Sequence, residues 1–161
     1  MNIEMYIELN QGLGNLKFGS TIDEAIDLFG KPSSVETIGE DLEMKTTLLH
    51  YENKGFSLFF DYEMIYNDHT DKPWEGVEPF SQIDDKETLT CIDINNDEVT
   101  LFGEKIIGKS SKEIINLMVS NNITNPTMDN EEWGEKRISF EDYSIDFFFV
   151  EDKLISVNFG K

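Results

Sequence analysis

One segment of the chain combines many carboxylates with several aromatic rings, a composition that suits recognition of a basic protein. Residues 62–87 hold eight acidic residues against two lysines. Buried aromatic rings supply much of the binding energy of an interface, and surrounding carboxylates accelerate encounter with a positively charged protein. The alternative is that Trp74 and Phe80 fold back and cover the edge of a sheet. The predicted partner-binding residues are Tyr62, Tyr66, Asp68, Asp71, Trp74, Glu75, Glu78 and Phe80.

A second stretch has the spacing of a calcium-binding loop. Asp93, Asn95, Asp97 and Glu104 occupy ligand positions of that motif. Glu98, however, stands where the loop needs glycine for its sharp turn, and the flanking residues alternate like strands instead of helices. We therefore predict a turn between two strands here, with no bound cation.

A histidine among carboxylates is the other group that could hold a divalent cation. His69 lies between Asp68 and Asp71, which could bind one metal ion weakly. A solvated loop is the simpler interpretation, because the only other histidine, His50, lies in a predicted strand. A weak metal-dependent enzyme is kept as an alternative; its residues would be Asp61, Glu63, Asp68, His69 and Asp71. We predict no metal and no cofactor.

The remaining reactive residue types form no recognisable catalytic pattern. Cys91 is the only cysteine, which excludes an intrachain disulfide and a multi-cysteine metal site. Its surroundings, TLTCIDI, alternate like a strand and lack the basic neighbour that a catalytic thiolate needs. No serine has the G-x-S-x-G surroundings of a nucleophile elbow, and no glycine-rich loop for phosphate follows a strand. We expect a non-enzymatic protein.

The charge balance restricts the partners. The 161 residues carry 33 Asp and Glu against 13 Lys and Arg, a formal charge of −20. Such a surface repels nucleic acid and anionic lipid and attracts basic proteins; the alternative is that it serves solubility alone. The acidic start MNIEMYIELN lacks the regions of a signal peptide, and no apolar run is long enough to span a membrane. We expect a cytoplasmic protein, and the preference for Lys, Asn and Ile indicates an AT-rich bacterium.

A repeat with an offset of 89 residues organises the chain. It aligns two separate blocks without a gap, which indicates a tandem duplication. The identical pairs are Gly14 and Gly103, Gly19 and Gly108, Glu24 and Glu113, Ile26 and Ile115, Leu28 and Leu117, Glu52 and Glu141, Phe59 and Phe148, and Phe60 and Phe149.

Each copy begins with a predicted amphipathic helix. Thr21-x-x-Glu24 and Ser110-x-x-Glu113 have the pattern of capping boxes, in which a hydroxyl and a carboxylate satisfy free amides of the first turn. Apolar residues then follow at helical spacing, which predicts helices near residues 21–29 and 110–120. The core pairs predicted from the repeat are Ile26 with Ile115, Leu28 with Leu117, and Leu58 with Phe147.

Alternating segments after each helix predict antiparallel strands. LLHYENKGFSLFFDY (48–62) indicates a hairpin around Asn53-Lys54-Gly55, and residues 136–159 indicate two hairpins. The predicted class is α+β: two tandem helix-plus-antiparallel-strand repeats that form one shared antiparallel sheet with both helices on one face. The predicted organisation is a single domain over 1–161, with repeats at about 10–96 and 99–160 and an inserted acidic aromatic loop at about 62–87.

The pattern [Leu/Phe]-Gly-x-x-x-[Phe/Ile]-Gly-x-[Ser/Thr]-x-x-Glu, followed by a helix and an aromatic-rich hairpin, resembles the tandem α/β-repeat proteins typified by the β-lactamase inhibitory protein. It is also similar to the single-repeat units of outer-membrane assembly lipoproteins. The resemblance spans residues 13–96 and 102–159. It implies binding of another protein through the sheet face and loops. The inhibitory protein has disulfides and the lipoproteins a lipidated cysteine near the N-terminus, and this chain has neither, so β-lactamase is not carried over as the target.

Together these features predict a non-enzymatic protein-binding module, namely a bacterial intracellular immunity or inhibitor protein that neutralises a basic toxin or enzyme. The first alternative is a generic cytoplasmic interaction or structural domain. The second is the weak metal-dependent enzyme described above.

Overall fold

The computed structural model describes residues 5–39, 45–66, 80–130 and 134–161. Strands predominate, and two helices, α1 (Ile22–Phe29) and α2 (Ser111–Ser120), pack with them into one hydrophobic core. The α+β class is therefore confirmed. The strands are β1 (Tyr6–Glu8), β2 (Gly12–Leu13), β3 (Leu16–Lys17), β4 (Ser34–Ile38), β5 (Thr46–Tyr51), β6 (Phe56–Tyr66), β7 (Phe80–Ile94), β8 (Thr100–Leu101), β9 (Glu104–Lys105), β10 (Thr127–Asn130), β11 (Glu135–Phe140), β12 (Ile145–Val150) and β13 (Lys153–Gly160).

The strands form two sheets where the sequence predicted one. The larger has eight strands in the order β10-β11-β12-β13-β7-β6-β5-β4, and every neighbouring pair is antiparallel. The smaller has the order β3-β2-β1-β8-β9, with β1 and β8 parallel. The second sheet exists because the glycine-containing segments before the two helices form short hairpins of their own, which β1 joins.

Corresponding elements of the eight-stranded sheet start 89 residues apart. This holds for β5 and β11, for β6 and β12, and for the two helices. A short 3-10 turn lies at Glu52–Lys54 and again at Glu141–Tyr143, and the next residue is left-handed in both places. We refer to β4–β7 as the first half of this sheet and to β10–β13 as the second half.

One face of the eight-stranded sheet is apolar and carries the core. Two rows of cross-strand neighbours run over its six central strands, and every member is buried. The prediction that Leu58 and Phe147 form a buried pair is confirmed, since both are 0% exposed. One row is Leu49, Leu58, Ile92, Phe159, Ile145 and Phe140; the other is Tyr51, Phe56, Ile94, Val157, Phe147 and Ile138.

Both helices contact this apolar face. The Phe29 ring of α1 lies 4.8 Å from that of Phe56 and 5.8 Å from that of Tyr51, between centroids. At the start of α2, Lys136 of β11 donates from Nζ to Ser111 Oγ at 3.2 Å. The two capping boxes are confirmed: Thr21 Oγ1 and Ser110 Oγ each accept from the backbone N–H of the glutamate three residues later.

The buried face of α1 differs from the predicted one. Ala25 and Phe29 are buried, whereas Ile26 is only partly so. In α2, Leu117 is buried as predicted and Ile115 is partly buried. The prediction for Leu28 is wrong, since its side chain is 37% exposed. The equivalent residue of α2, Leu117, is buried, so the leucine shared by the two helices has a different exposure in each.

The predicted inserted loop is partly strand. β6 continues through Tyr66 and β7 begins at Phe80, with these two residues directly opposite each other. Residues 62–66 and 80–87 therefore lie in strands, with an irregularity in the pairing between Tyr62 and Met64, which corrects the predicted loop at 62–87. At the corresponding place in the second half, β12 and β13 are joined by Glu151 and Asp152, both with positive φ. Extended pairing in one half thus corresponds to a tight turn in the other.

Candidate protein-binding surface

The second face of the eight-stranded sheet is polar. One row of cross-strand neighbours crosses all eight strands, and every member has a polar side chain. An antiparallel sheet commonly packs one face on the core and leaves the other in water, so we refer to this side as the polar face. The row is Ser34, His50, Ser57, Asp93, Asn158, Asp146, Ser139 and Thr127.

Negative charge dominates the polar face. Arg137 is ion-paired there with Asp129, and Lys153 stands at its edge. His50 bridges two strands, with Nδ1 2.8 Å from Ser57 Oγ and Nε2 3.0 Å from Glu36 Oε2. A positively charged surface would meet a favourable potential here. The carboxylates on this face include Glu36, Asp61, Asp93, Asp129 and Asp146.

Two phenylalanine rings stand among these carboxylates. Phe59 and Phe148 are half-buried and occupy corresponding positions in the two halves of the sheet. Both alternate with fully buried neighbours, which places them on the polar face. Sequence reasoning noted them as a repeated pair but did not assign them to a site. The segments LFF (58–60) and FFF (147–149) could have indicated this placement. Successive side chains of a strand point to opposite faces, so the middle residue lies on the face opposite its two neighbours.

Asp61 is held by hydrogen bonds within the sheet. Thr46 Oγ1 and Thr90 Oγ1 donate to its two carboxylate oxygens. Among the described residues no three or more His, Cys, Asp or Glu side chains are grouped to hold a metal ion. Asp68, His69 and Asp71 lie outside those residues, so the metal-dependent alternative stays a prediction.

Burial raises two pKa values near the centre of the polar face. Desolvation raises the pKa of Asp93, and it raises that of Cys91 to about 11. Cys91 Sγ donates to Asn158 Oδ1 at 3.2 Å. Cys91 is a free, half-buried thiol, and it stays protonated at neutral pH, when it is a poor nucleophile.

The predicted binding residues fall into two groups. Tyr62 lies opposite Glu87 in the β6–β7 pair, and Tyr66 lies opposite Phe80 four residues farther along β6. The others lie outside the described residues, so their role as binding residues or as an edge cover stays a prediction: Asp68, Asp71, Trp74, Glu75 and Glu78.

A cavity of about 340 Å³ lies at the start of α1, beside the extended part of the hairpin. The Glu87 side chain lines it although the residue is only 9% exposed. Glu87 Oε1 is buried and accepts no hydrogen bond from the described part of the chain; Lys45 Nζ is 3.6 Å away. The lining residues are Thr21, Ile22, Asp23, Lys45, Tyr62 and Glu87.

Sequence reasoning missed this cavity because Glu87 was read as one more acid of a loop. The alternation of Glu87 with Leu89 was the available signal, since it places both side chains on the helix-covered face.

Neither described helix is long and apolar enough to cross a membrane.

Comparison with known proteins assigns no family. No protein-family model matches the sequence, and no curated protein matches it. Among solved structures, the chain is similar to a 1.5 Å crystal structure of an extracellular protein containing a SCP domain from Bacillus anthracis str. Ames. The TM-score is 0.43 at 9% identity over 89% of this chain, which spans 43% of that protein's length. A likeness of this degree supports no conclusion about function.

Proposed function

We propose that this chain is a non-enzymatic protein-binding module whose polar face docks on a basic protein, as in an immunity or inhibitor protein that neutralises a toxin or enzyme. The observation that carries the proposal is the placement of Phe59 and Phe148, half-buried at corresponding positions of an acidic sheet face, with Asp61 and Asp146 each two residues away along the same strand. Aromatic anchors within a polar surround are typical of binding hot spots.

The proposal includes a tandem duplication in which both copies contribute to one binding face of a shared sheet. Its support is the common 89-residue spacing of the elements and a repeated pair of hydrogen bonds. Gly19 N–H donates to the Leu89 carbonyl at 2.9 Å, and Gly108 N–H donates to the Leu154 carbonyl at 2.8 Å. The resemblance to the β-lactamase inhibitory protein type is consistent with this arrangement.

The charge and the rings would act on different steps of binding. A net charge of −20 attracts a basic protein over roughly 8 Å at physiological ionic strength and so raises the association rate. Desolvated aromatic contacts act mainly after docking, and most affinity differences among variants of one interface lie in the dissociation rate.

The test is kinetic binding to the purified product of the neighbouring gene at low and high salt. Phe59→Ala and Phe148→Ala should each raise the dissociation rate, at a cost of about 2 kcal/mol or more in affinity. The double variant Asp93→Asn with Asp146→Asn should slow association and flatten its salt dependence.

The matched control is the double variant Asp27→Asn with Asp142→Asn. It removes the same amount of charge from exposed positions in α1 and in the β11–β12 turn, away from the polar face. The proposal fails if the neighbouring protein does not bind or if both double variants change association equally. Binding that is insensitive to salt and to charge removal would favour the generic interaction domain.

A further inference from the structure

The cavity at the start of α1 can be compared with the equivalent place at the start of α2. Leu89 and Leu154 occupy equivalent positions, because each pairs with the glycine that precedes its helix cap. Two residues earlier in each half stand Glu87 and Asp152. These two carboxylates are therefore equivalent in the fold, and their surroundings can be compared directly.

The Asp152 carboxylate accepts hydrogen bonds from the start of α2. Its Oδ1 accepts from the Ser111 backbone N–H at 3.2 Å and from Ser111 Oγ at 2.5 Å, and Lys136 Nζ is 3.9 Å away. These contacts lower the pKa of Asp152, the Ser111 hydroxyl being the largest cause. The Asp152 carboxylate therefore stabilises the first turn of α2.

Glu87 has no comparable donor. The residue equivalent to Ser111 is Ile22, which has no hydroxyl, and the cap of α1 is completed by Thr21 with Glu24. Its only described ion pair, at 3.6 Å, is with Lys45, whose side chain is 40% exposed. A buried carboxylate oxygen without a hydrogen bond is costly, so a donor that enters the cavity would recover that cost.

We propose that this cavity receives a guanidinium group, supplied by an arginine side chain of the basic protein; the identity of that source rests on the proposed function. Two N–H groups of a guanidinium can donate in parallel to the two oxygens of one carboxylate. An aromatic ring such as that of Tyr62 attracts a nearby cation. Glu87 and Asp23 contribute two negative charges against one positive charge from Lys45. An anion would be repelled by the buried carboxylate.

Lys45 acts as an internal competitor in this scheme. Its ammonium group lies nearest to the oxygen that the guanidinium would approach, and its partial exposure lets it turn toward solvent. Removal of Lys45 should therefore strengthen binding of a cation, whereas it would weaken binding of an anion. This opposite sign makes the assignment testable without knowledge of the partner.

The experiment is a titration of the full chain with ethylguanidinium chloride, followed by backbone amide NMR at constant chloride with sodium as the balancing ion. We expect saturable shifts confined to residues 20–23 and 87–89. Glu87→Gln should weaken binding about tenfold or more, since hydrogen bonds to charged groups are worth about that factor. Lys45→Met should tighten it about two- to fivefold, and Asp152→Asn should leave it unchanged.

Several outcomes would overturn the inference: shifts that do not saturate, shifts elsewhere, equal binding by Glu87→Gln, or weaker binding by Lys45→Met. Stronger binding of n-butylammonium than of ethylguanidinium would also overturn the guanidinium assignment. Asp23→Asn, at an exposed position, provides a second variant with weaker expected binding if Glu87→Gln does not fold. The probe is measured on the free chain, so failure of the neighbouring gene product to bind would overturn the proposed function and leave this result standing.

Discussion

The two hairpins β6–β7 and β12–β13 occupy equivalent places in the eight-stranded sheet but end differently. In the second half the chain turns at Glu151 and Asp152, and the Asp152 carboxylate hydrogen-bonds the start of α2. In the first half the strands continue, so that Glu87 lies inside a paired strand and beside a cavity. The carboxylate that hydrogen-bonds the helix start in the second half therefore has an equivalent in the first half that lines a cavity instead.

The comparison shows which parts of the two halves are alike and which differ. The two rows of the apolar face are complete in both halves, and every member is buried. The strand ends and the polar face do not contribute to that core. The halves differ at the strand ends, as at Glu87 and Asp152.

The largest expected effect concerns the core, where the two halves of the sheet are expected to respond alike to truncation of corresponding side chains. Leu58→Ala and Phe147→Ala truncate corresponding side chains that are both fully buried. We expect losses of about 2–5 kcal/mol for the leucine and about 3–5 kcal/mol for the phenylalanine, because each removes buried apolar area and leaves a cavity. Urea unfolding at equilibrium measures both.

Leu28→Ala is the matched control for truncation in this core. The side chain is 37% exposed, and alanine is a good helix former, so the change should be within about 0.5 kcal/mol. A large loss at Leu28, or a small one at Leu58 or Phe147, would contradict the placement of the helix and the sheet.

The second prediction concerns the two equivalent carboxylates. Asp152→Asn should lower the free energy of unfolding at pH 7, because it removes a negative charge that accepts hydrogen bonds at the start of α2. Glu87→Gln should not lower it, because Glu87 Oε1 has no hydrogen bond from the described residues to lose. Thermal unfolding of the two variants beside the parent chain measures the difference.

The Asp152 effect should depend on pH with a definite sign. Its pKa is lowered in the folded chain, so its contribution is present above the unfolded pKa of about 3.9 and is lost as the pH falls through the folded pKa. The parent chain and Asp152→Asn should converge in strongly acid solution. A difference that persists there would show that the charge is not the cause.

The helices and three hairpins, β5–β6, β11–β12 and β12–β13, followed from local sequence signals. Capping boxes and apolar spacing predicted α1 and α2, because these patterns report interactions within a few residues. The hairpin around Asn53-Lys54-Gly55 followed for the same reason, and Gly55 has the positive φ that such a turn needs. The α+β class depends only on such elements.

The second sheet and the cavity depend on contacts that are distant in sequence. Parallel pairing of β1 with β8 joins residues near Tyr6 to residues near Thr100, and no local pattern reports it. The cavity requires Glu87, Lys45 and the start of α1 to meet across the sheet. Leu28 shows a further limit: the same residue type at the same helical position is buried at Leu117 and 37% exposed at Leu28, because burial depends on what packs over each helix.

The last and smallest expected effect concerns Asp93 and Asn158, which face each other where the two halves meet. Burial raises the pKa of Asp93, so the folded chain holds its proton more tightly than the unfolded chain does. The associated stability is present in acid and is lost as the pH rises through the folded pKa. Asp93→Asn should therefore raise the melting temperature at pH 7, and the gain should shrink as the pH falls toward 4.

Asn158→Asp adds a charge at the same junction, whereas Asp93→Asn removes one. It places a second carboxylate directly opposite Asp93, and like charges in that arrangement destabilise a sheet by roughly 0.2–1 kcal/mol. It also alters the side chain that accepts from Cys91 Sγ, so Asn158→Ser, which removes that amide without adding charge, is measured beside it. The loss in Asn158→Asp should exceed that in Asn158→Ser at pH 7 and approach it near pH 4. The three variants are Asp93→Asn, Asn158→Asp and Asn158→Ser. If the difference in melting temperature between each variant and the parent is the same at pH 7 and at pH 4, charge at the junction of the two halves has no energetic role.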